Sequence, residues 1–264
     1  MDVLRIALCQ IEIALGNPAA NFSSARRLLT EAKQQGVHLA LLPELWTTGY
    51  DLQNAPQLGR AITGDSNELA GLAREFELYL CSSILEAKDN KYFNTQTIYS
   101  PEGKLLGSYR KIHLFGLLDE PKFLSPGEEP VVLDLPWGRT GLSICYDLRF
   151  PELFRSYAVS GARVILICAE WPHPRLEHWR TLLRARAIEN QSYVVACNAV
   201  GTASNNVFFG HSLVVDPWGE IIVEGQETEA LITAEIDVSM VDQIRARFPF
   251  LADRRPAVYS LPQE

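Results

Sequence analysis

Cys145 stands where an apolar run meets a polar, aromatic turn. Gly141-Leu142-Ser143-Ile144 leads into it, and Tyr146-Asp147-Leu148-Arg149-Phe150-Pro151-Glu152 follows. A thiol attacks a carbonyl carbon only as thiolate, so a base or cation beside it must supply that form. Pro151 suits the first turn of a helix, which would set the sulfur near a helix N-terminus, where negative charge is favoured. The ordinary alternative is an inert core thiol. That alternative suits Cys9, Cys81, Cys168 and Cys197, each inside an apolar run. Glu44 follows Leu39-Ala40-Leu41-Leu42-Pro43 and precedes Leu45-Trp46. A carboxylate among apolar residues is costly unless paired or protonated. It either caps a strand end at the surface or serves as a general base, its pKa raised toward the working range by apolar surroundings. Lys111, in Tyr109-Arg110-Lys111-Ile112-His113-Leu114-Phe115, is either a solvated lysine or the cation that stabilises a developing oxyanion and the thiolate. Glu120, in Leu118-Asp119-Glu120-Pro121, is either loop solvation or a second carboxylate orienting the lysine. His113 and His211 are rival bases, but nothing in the sequence sets either against Cys145.

These residues need elements to bring them together. Strand-like runs rich in Val, Ile, Leu and Tyr occur at 4–9, 39–42, 78–84, 93–99, 139–145, 164–168, 193–197, 211–215 and 230–236. Helical patterns fall between them. One spans 21–35, with Asn21 as its cap and Gly36 as its stop. A second, 66–76, follows a Gly64-Asp65-Ser66 turn. The third runs from Pro151 to Ser160, and the fourth covers 175–190. Ser100-Pro101-Glu102-Gly103-Lys104 and Asp216-Pro217-Trp218-Gly219-Glu220 read as hairpin turns. The pattern predicts one α/β domain over 1–264, with a polar tail from about residue 249 that is either loose or docked on a partner subunit. Each half holds a β-α-β stretch and one Pro-x-Gly turn, so a pseudo-repeat with two sheets is open. Glu44, Lys111 and Cys145 then sit at strand ends, where α/β folds place their sites.

The 264 residues are 47% apolar and 21% charged, with a net charge of −8. That excludes disorder, and argues against nucleic acid or an anionic membrane as the main partner. No apolar run reaches the ~18 residues of a spanning helix. The first ten residues alternate like a strand and lack the basic start of a signal peptide. Five scattered cysteines without a CxxC pair or zinc spacing predict a reducing, cytoplasmic setting.

Taken together, Leu42-Pro43-Glu44, the segment from Tyr109 to Phe115 and the segment from Gly141 to Glu152 resemble the Glu, Lys and Cys motifs of the carbon–nitrogen hydrolase (nitrilase) superfamily, in order and in spacing. The resemblance runs from Arg5 to about Phe250. The Cys145–Glu152 string, Trp171-Pro172, His178-Trp179 and the stretch from Leu183 to Gln191 are similar to its Nit branch. Glu170-Trp171-Pro172 through Arg175 leans toward the ω-amidases. The resemblance implies a four-layer αββα sandwich, a homodimer through helices beside the site or a higher homo-oligomer, and no metal or organic cofactor. The expected substrate is a small-molecule amide: the terminal amide of a dicarboxylate monoamide of the 2-oxoglutaramate or 2-oxosuccinamate type. A deaminated glutathione amidase or an N-carbamoyl amino acid hydrolase would use the same triad. In the implied reaction Glu44 accepts the thiol proton, Cys145 forms a thioester, and Lys111 with the Tyr146 backbone N–H holds the oxyanion. Glu120 is the additional carboxylate. Arg149 is the candidate for the substrate carboxylate, and a structural ion pair with Glu152 or Asp147 is its alternative. Phe115 and Trp171 either wall the pocket or belong to the core.

Overall fold

The computed structural model describes residues 2–63, 67–203 and 205–259. Two six-stranded sheets stack face to face. The first contains β1 (Val3–Gln10), β2 (Leu39–Leu41), β3 (Tyr79–Lys88), β4 (Lys91–Tyr99) and β5 (Leu105–Arg110). The second contains β6 (Val132–Leu135), β7 (Gly138–Ile144), β8 (Val164–Ala169) and β9 (Tyr193–Asn198). A small hairpin of β10 (Val200–Ala203) and β11 (Asn206–Phe209) stands apart. The second sheet is completed by β12 (Leu213–Val215) and β13 (Ile221–Glu224), and the first by β14 (Ala230–Asp237). The strand orders are β14-β1-β2-β3-β4-β5 and β6-β7-β8-β9-β12-β13. Both share one pattern: an antiparallel edge, three parallel strands, then two antiparallel strands. The two Pro-x-Gly turns fall at matching places, joining β4 to β5 and β12 to β13. The halves are thus a pseudo-repeat.

Period-two alternation explains the stacking. On β1, Leu4, Ile6 and Leu8 join the core between the sheets, which also holds Leu142, Ile144, Leu166 and Val195. Ala7 and Cys9 face the other way, toward Leu28 and Leu29 of α1 (Pro18–Gln34). Helices cover the outer faces. The short α2 (Ala55–Leu58) precedes α3 (Glu68–Phe76), which packs beside α1 on the first sheet. The short α4 (Glu120–Phe123) carries Glu120. On the second sheet lie α5 (Pro151–Val159) and α6 (Leu176–Asn190), through Phe154, Tyr157, Trp179 and Leu183. The last helix is α7 (Ser239–Arg247). The expected αββα sandwich is the observed architecture. Among the described residues, no helix is long and apolar enough to cross a membrane.

Several boundaries move. The cap of α1 is Asn17, whose side chain accepts from Ala20 N, because Pro18 opens the helix. Asn21 is instead buried one turn in and holds Ala14 and Thr47. The expected Gly64-Asp65-Ser66 turn lies outside the described residues, and Asn67 caps α3. His211 has a left-handed φ of 51°, so β12 starts only at Leu213. In the tail, the Phe248 carbonyl accepts from Gln191, and a short turn forms over Pro256–Val258.

Candidate active site

Four strand ends converge. Glu44 lies three residues past β2, Lys111 one past β5, Cys145 one past β7 and Glu170 one past β8. The sheets are stitched there: Glu44 N donates to Ala169 O at 3.4 Å, and Glu170 N donates to Glu44 Oε2 at 2.9 Å. Two non-glycine residues take left-handed backbone at these ends, Leu45 (φ 41°) and Cys145 (φ 44°). Such strain costs about 1–3 kcal/mol per residue and persists only where surrounding contacts enforce it.

At Cys145 those contacts are visible. Asp147, fully buried, accepts from Ile144 N (2.9 Å), Tyr109 Oη (2.7 Å) and His113 N (3.1 Å), and pairs with His113 Nδ1 at 2.8 Å. One carboxylate therefore ties the turn carrying Cys145 to the segment carrying Lys111. From the other side Arg186 of α6 donates to Leu148 O at 2.9 Å. Cys145 opens a short 3-10 turn, Cys145–Arg149, and the α-helix begins only at Pro151. The expected helix N-terminus at the sulfur is thus a single tight turn. Tyr146 is its second residue, in the stretch where backbone N–H groups lack a helical partner.

The charged cluster is built on Lys111. Its Nζ donates to Glu44 Oε1 at 2.7 Å and to Glu120 Oε1 at 2.8 Å, with all three side chains out of solvent. Tyr50 Oη lies 2.7 Å from Glu44 Oε1 and 3.0 Å from Glu120 Oε1. Asn94 Nδ2 donates to the same two oxygens at 2.8 and 3.3 Å. Glu120 Oε2 accepts from Phe115 N. Cys145 lies close enough to Glu44 and Lys111 for both charges to act on its thiol. Burial would push the Glu44 carboxyl up, but the Lys111 ammonium and the bonds from Lys111 and Tyr50 outweigh it and hold it below the usual carboxylate range. The expected upward shift of Glu44 is therefore corrected: apolar neighbours count for less than one lysine at contact distance. It is Glu120 that is pushed up, by burial and by the Glu44 charge, against the pull of Lys111. Burial would lower Lys111, but Glu120 and Glu44 together keep it protonated. Burial and the Glu44 charge hold Cys145 as the thiol.

A narrow cleft opens on the sulfur, lined among others by Phe115, Tyr146, Arg149, Glu170 and Trp171. The Arg149 guanidinium lies 5.0 Å from the Trp171 ring centre and 3.5 Å from His178 Nδ1. Arg175, also at the cleft, lies 5.8 Å from the Phe115 ring centre. Among the described residues neither arginine is in an ion pair, so the pairing of Arg149 with Glu152 or Asp147 is not what forms. Phe115 and Trp171 both wall the cleft. The rival bases are engaged elsewhere: His113 pairs with Asp147 and stacks on Phe150 at 3.6 Å, and His211 Nδ1 meets Glu224 at 2.7 Å. Cys9, Cys168 and Cys197 are fully buried thiols with raised pKa, Cys9 to about 12 by desolvation and Glu31. Among the described residues, no group of three or more His, Cys, Asp or Glu could hold a metal ion.

The carbon–nitrogen hydrolase family model matches residues 5–246. The chain belongs to the carbon–nitrogen hydrolase family. It is 40% identical over 259 residues to the 2-oxoglutaramate amidase of Bacillus subtilis, covering 96% of this chain and 98% of that protein. It is 34% identical over 272 residues to the omega-amidase NIT2 of Mus musculus, covering 99% and 98%. Among solved structures it resembles XC1258 of Xanthomonas campestris, a CN-hydrolase superfamily protein with an arsenic adduct in its active site. That match has a TM-score of 0.90 and 31% identity, over 99% of this chain and 100% of the other. The expected membership is borne out, and with it hydrolysis of non-peptide carbon–nitrogen bonds. Sequence reasoning missed Tyr50, Asn94, Asp147 and Arg175 as parts of this site. For Asn94 a signal existed: the run Asn94-Thr95-Gln96-Thr97 is wholly polar yet sits inside a strand.

Proposed function

We propose that this carbon–nitrogen hydrolase cleaves the terminal amide of a small dicarboxylate monoamide, of the 2-oxoglutaramate or 2-oxosuccinamate type, to the acid and ammonia. The observation that carries the reading is that Cys145, which opens on the cleft, lies within reach of the charges of Glu44 and of the buried Lys111 that contacts Glu44 at 2.7 Å. Glu44 takes the thiol proton as sulfur attacks the amide carbon. The carbonyl electrons move to oxygen, where Lys111 and the Tyr146 N–H receive the charge. Collapse breaks the carbon–nitrogen bond, Glu44 returns its proton to nitrogen, and ammonia leaves a thioester on Cys145. Glu44 then deprotonates water, hydroxide adds to the thioester, and the departing sulfur recovers the proton. Glu120 keeps Lys111 in line through its 2.8 Å contact.

The unpaired Arg149 and Arg175 at the cleft suit the substrate's far carboxylate, which one guanidinium holds through two parallel bonds. The named amidase relatives favour this substrate over deaminated glutathione or an N-carbamoyl amino acid. Ammonia release from a panel of ω-amides tests the reading. It predicts 2-oxoglutaramate and 2-oxosuccinamate ahead of deaminated glutathione; the reverse order, or carbon dioxide released with the ammonia, would overturn it.

The exposed side chains Ile188, Trp218 and Phe250 adjoin through the Gly219 turn and Phe248. With the family resemblance they support a homodimer, which light scattering tests against twice 29.5 kDa. Five free, buried cysteines keep the cytoplasmic reading, which cell fractionation tests.

A further inference from the structure

Glu170 has both carboxyl oxygens buried, and among the described residues neither has a hydrogen-bond partner. Leaving a buried polar group unpaired costs about 1–3 kcal/mol, so a fold that tolerates it invites a completing ligand. The backbone of the same residue is engaged: its N–H donates to Glu44 Oε2 at 2.9 Å. That bond pins Glu170 on the flank of Glu44, while the residue lines the cleft with Cys145. The orphaned acid therefore belongs to a residue that lines the space the substrate enters.

The requirement for an acceptor there comes from the reaction, and the argument rests on the amidase reading above. The amide oxygen is taken by Lys111 and the Tyr146 N–H. The amide nitrogen must face Glu44, which later protonates it. A primary amide nitrogen carries two N–H donors, and in a closed cleft each needs an acceptor. Glu44 can serve one. Arg149 and Arg175 have only donors. We propose that Glu170 is a specificity-determining residue whose carboxyl accepts a hydrogen bond from the substrate's NH2 group, selecting primary amides over acyl compounds without an N–H. Burial, reinforced by the Glu44 and Glu120 charges and opposed by Lys111, holds Glu170 neutral. Its carbonyl oxygen is the acceptor, and no second fixed anion detains the product as ammonium. A merely structural acid would have no preference among leaving groups.

The test compares succinamate with monomethyl succinate, which pass through the same succinyl thioester and differ only in what departs. In both cases kcat/KM reports acylation. Glu170→Leu should lower kcat/KM for the amide about 10-fold, the equivalent of one lost hydrogen bond in a dry site, and leave the ester within about 3-fold. Glu170→Gln retains a carbonyl acceptor and should keep the amide within about 3-fold. Glu170→Met, unbranched and similar in volume, repeats the Leu experiment should that variant misfold. Thermal midpoints of Leu and Met variants should equal or exceed wild type, because an unpaired acid is gone. Equal losses on amide and ester, or no loss on the amide, would overturn the assignment while wild-type ammonia release leaves the amidase reading intact. Wild type that cleaves neither substrate would sink both.

Discussion

Replacing Lys111 by Met removes the ammonium that contacts two buried carboxyls, Glu44 and Glu120. Lys111 touches Glu44 at 2.7 Å and Glu120 at 2.8 Å, and none of the three side chains is exposed. Removing one partner of a buried pair costs about 3–5 kcal/mol, because the remaining charge is uncompensated. The two carboxyls would escape that cost by taking up protons. Their folded-state pKa then lies above the unfolded value, so the folded variant binds more protons than its unfolded chain. The loss is therefore small below the ordinary carboxylate range and grows as pH rises. Relative to wild type, a Glu44 forced neutral costs about 1.4 kcal/mol per pH unit above its unfolded pKa, or about 2.7 kcal/mol between pH 5 and 7, while Glu120, already pushed up in the wild type, adds less. Against a total stability of about 5–15 kcal/mol, the variant should be mildly weakened at pH 5 and near unfolding at pH 8. Urea unfolding followed by tryptophan fluorescence, with wild type measured at each pH, gives the difference directly. Adding Glu44→Gln and Glu120→Gln should recover most of the loss. A loss that does not change with pH, or one below about 1 kcal/mol at pH 7, would refute the claim that Lys111 neutralises this pocket.

Other expectations follow from the same contacts. Arg149→Ala and Arg175→Ala should each cut kcat/KM for ω-amides bearing a carboxylate about 10-fold or more, the size of a charge-assisted bond, and spare neutral amides; equal losses on both classes would return the arginines to structure. The acid limb of kcat/KM should lie below the ordinary carboxylate range, since Lys111 and its other donors hold Glu44 ionised against burial; a limb above that range would contradict the assigned base. Asp147→Asn keeps the shape but loses the charge that joins Ile144, Tyr109 and His113. Its kcat should fall by about 10-fold or more with KM little changed, as expected when two reacting groups drift apart, and an unaltered kcat would show the clamp is dispensable.

Glu44, Lys111 and Cys145 were legible only together, through the order and spacing of the three motifs that carry them, because each residue alone also had an ordinary reading. Central strands such as β1, β8 and β9 were equally plain, since burial on both faces leaves a near-continuous apolar string. The edge strands β5 and β13 were not. β5 is mostly half-buried and β13 is exposed over Ile221 and Ile222, so neither carries the buried pattern. The helix α7 holds Asp242, Arg245 and Arg247 among few apolar residues and gave no clear stripe. Within the site, Tyr50 and Asn94 reach Glu44 only through tertiary folding. The direction of the Glu44 shift depended on a lysine 67 residues away in sequence, and no local reading could weigh that contact against desolvation.

The most direct test of the account is mass spectrometry of enzyme quenched with acid during turnover of 2-oxoglutaramate. The account predicts an added mass equal to the acyl group, mapped to the peptide containing Cys145, and absent from Cys145→Ala, which should stay folded and release no ammonia. Steady turnover with Cys145 unmodified under conditions that trap thioesters, or ammonia release by Cys145→Ala, would contradict it.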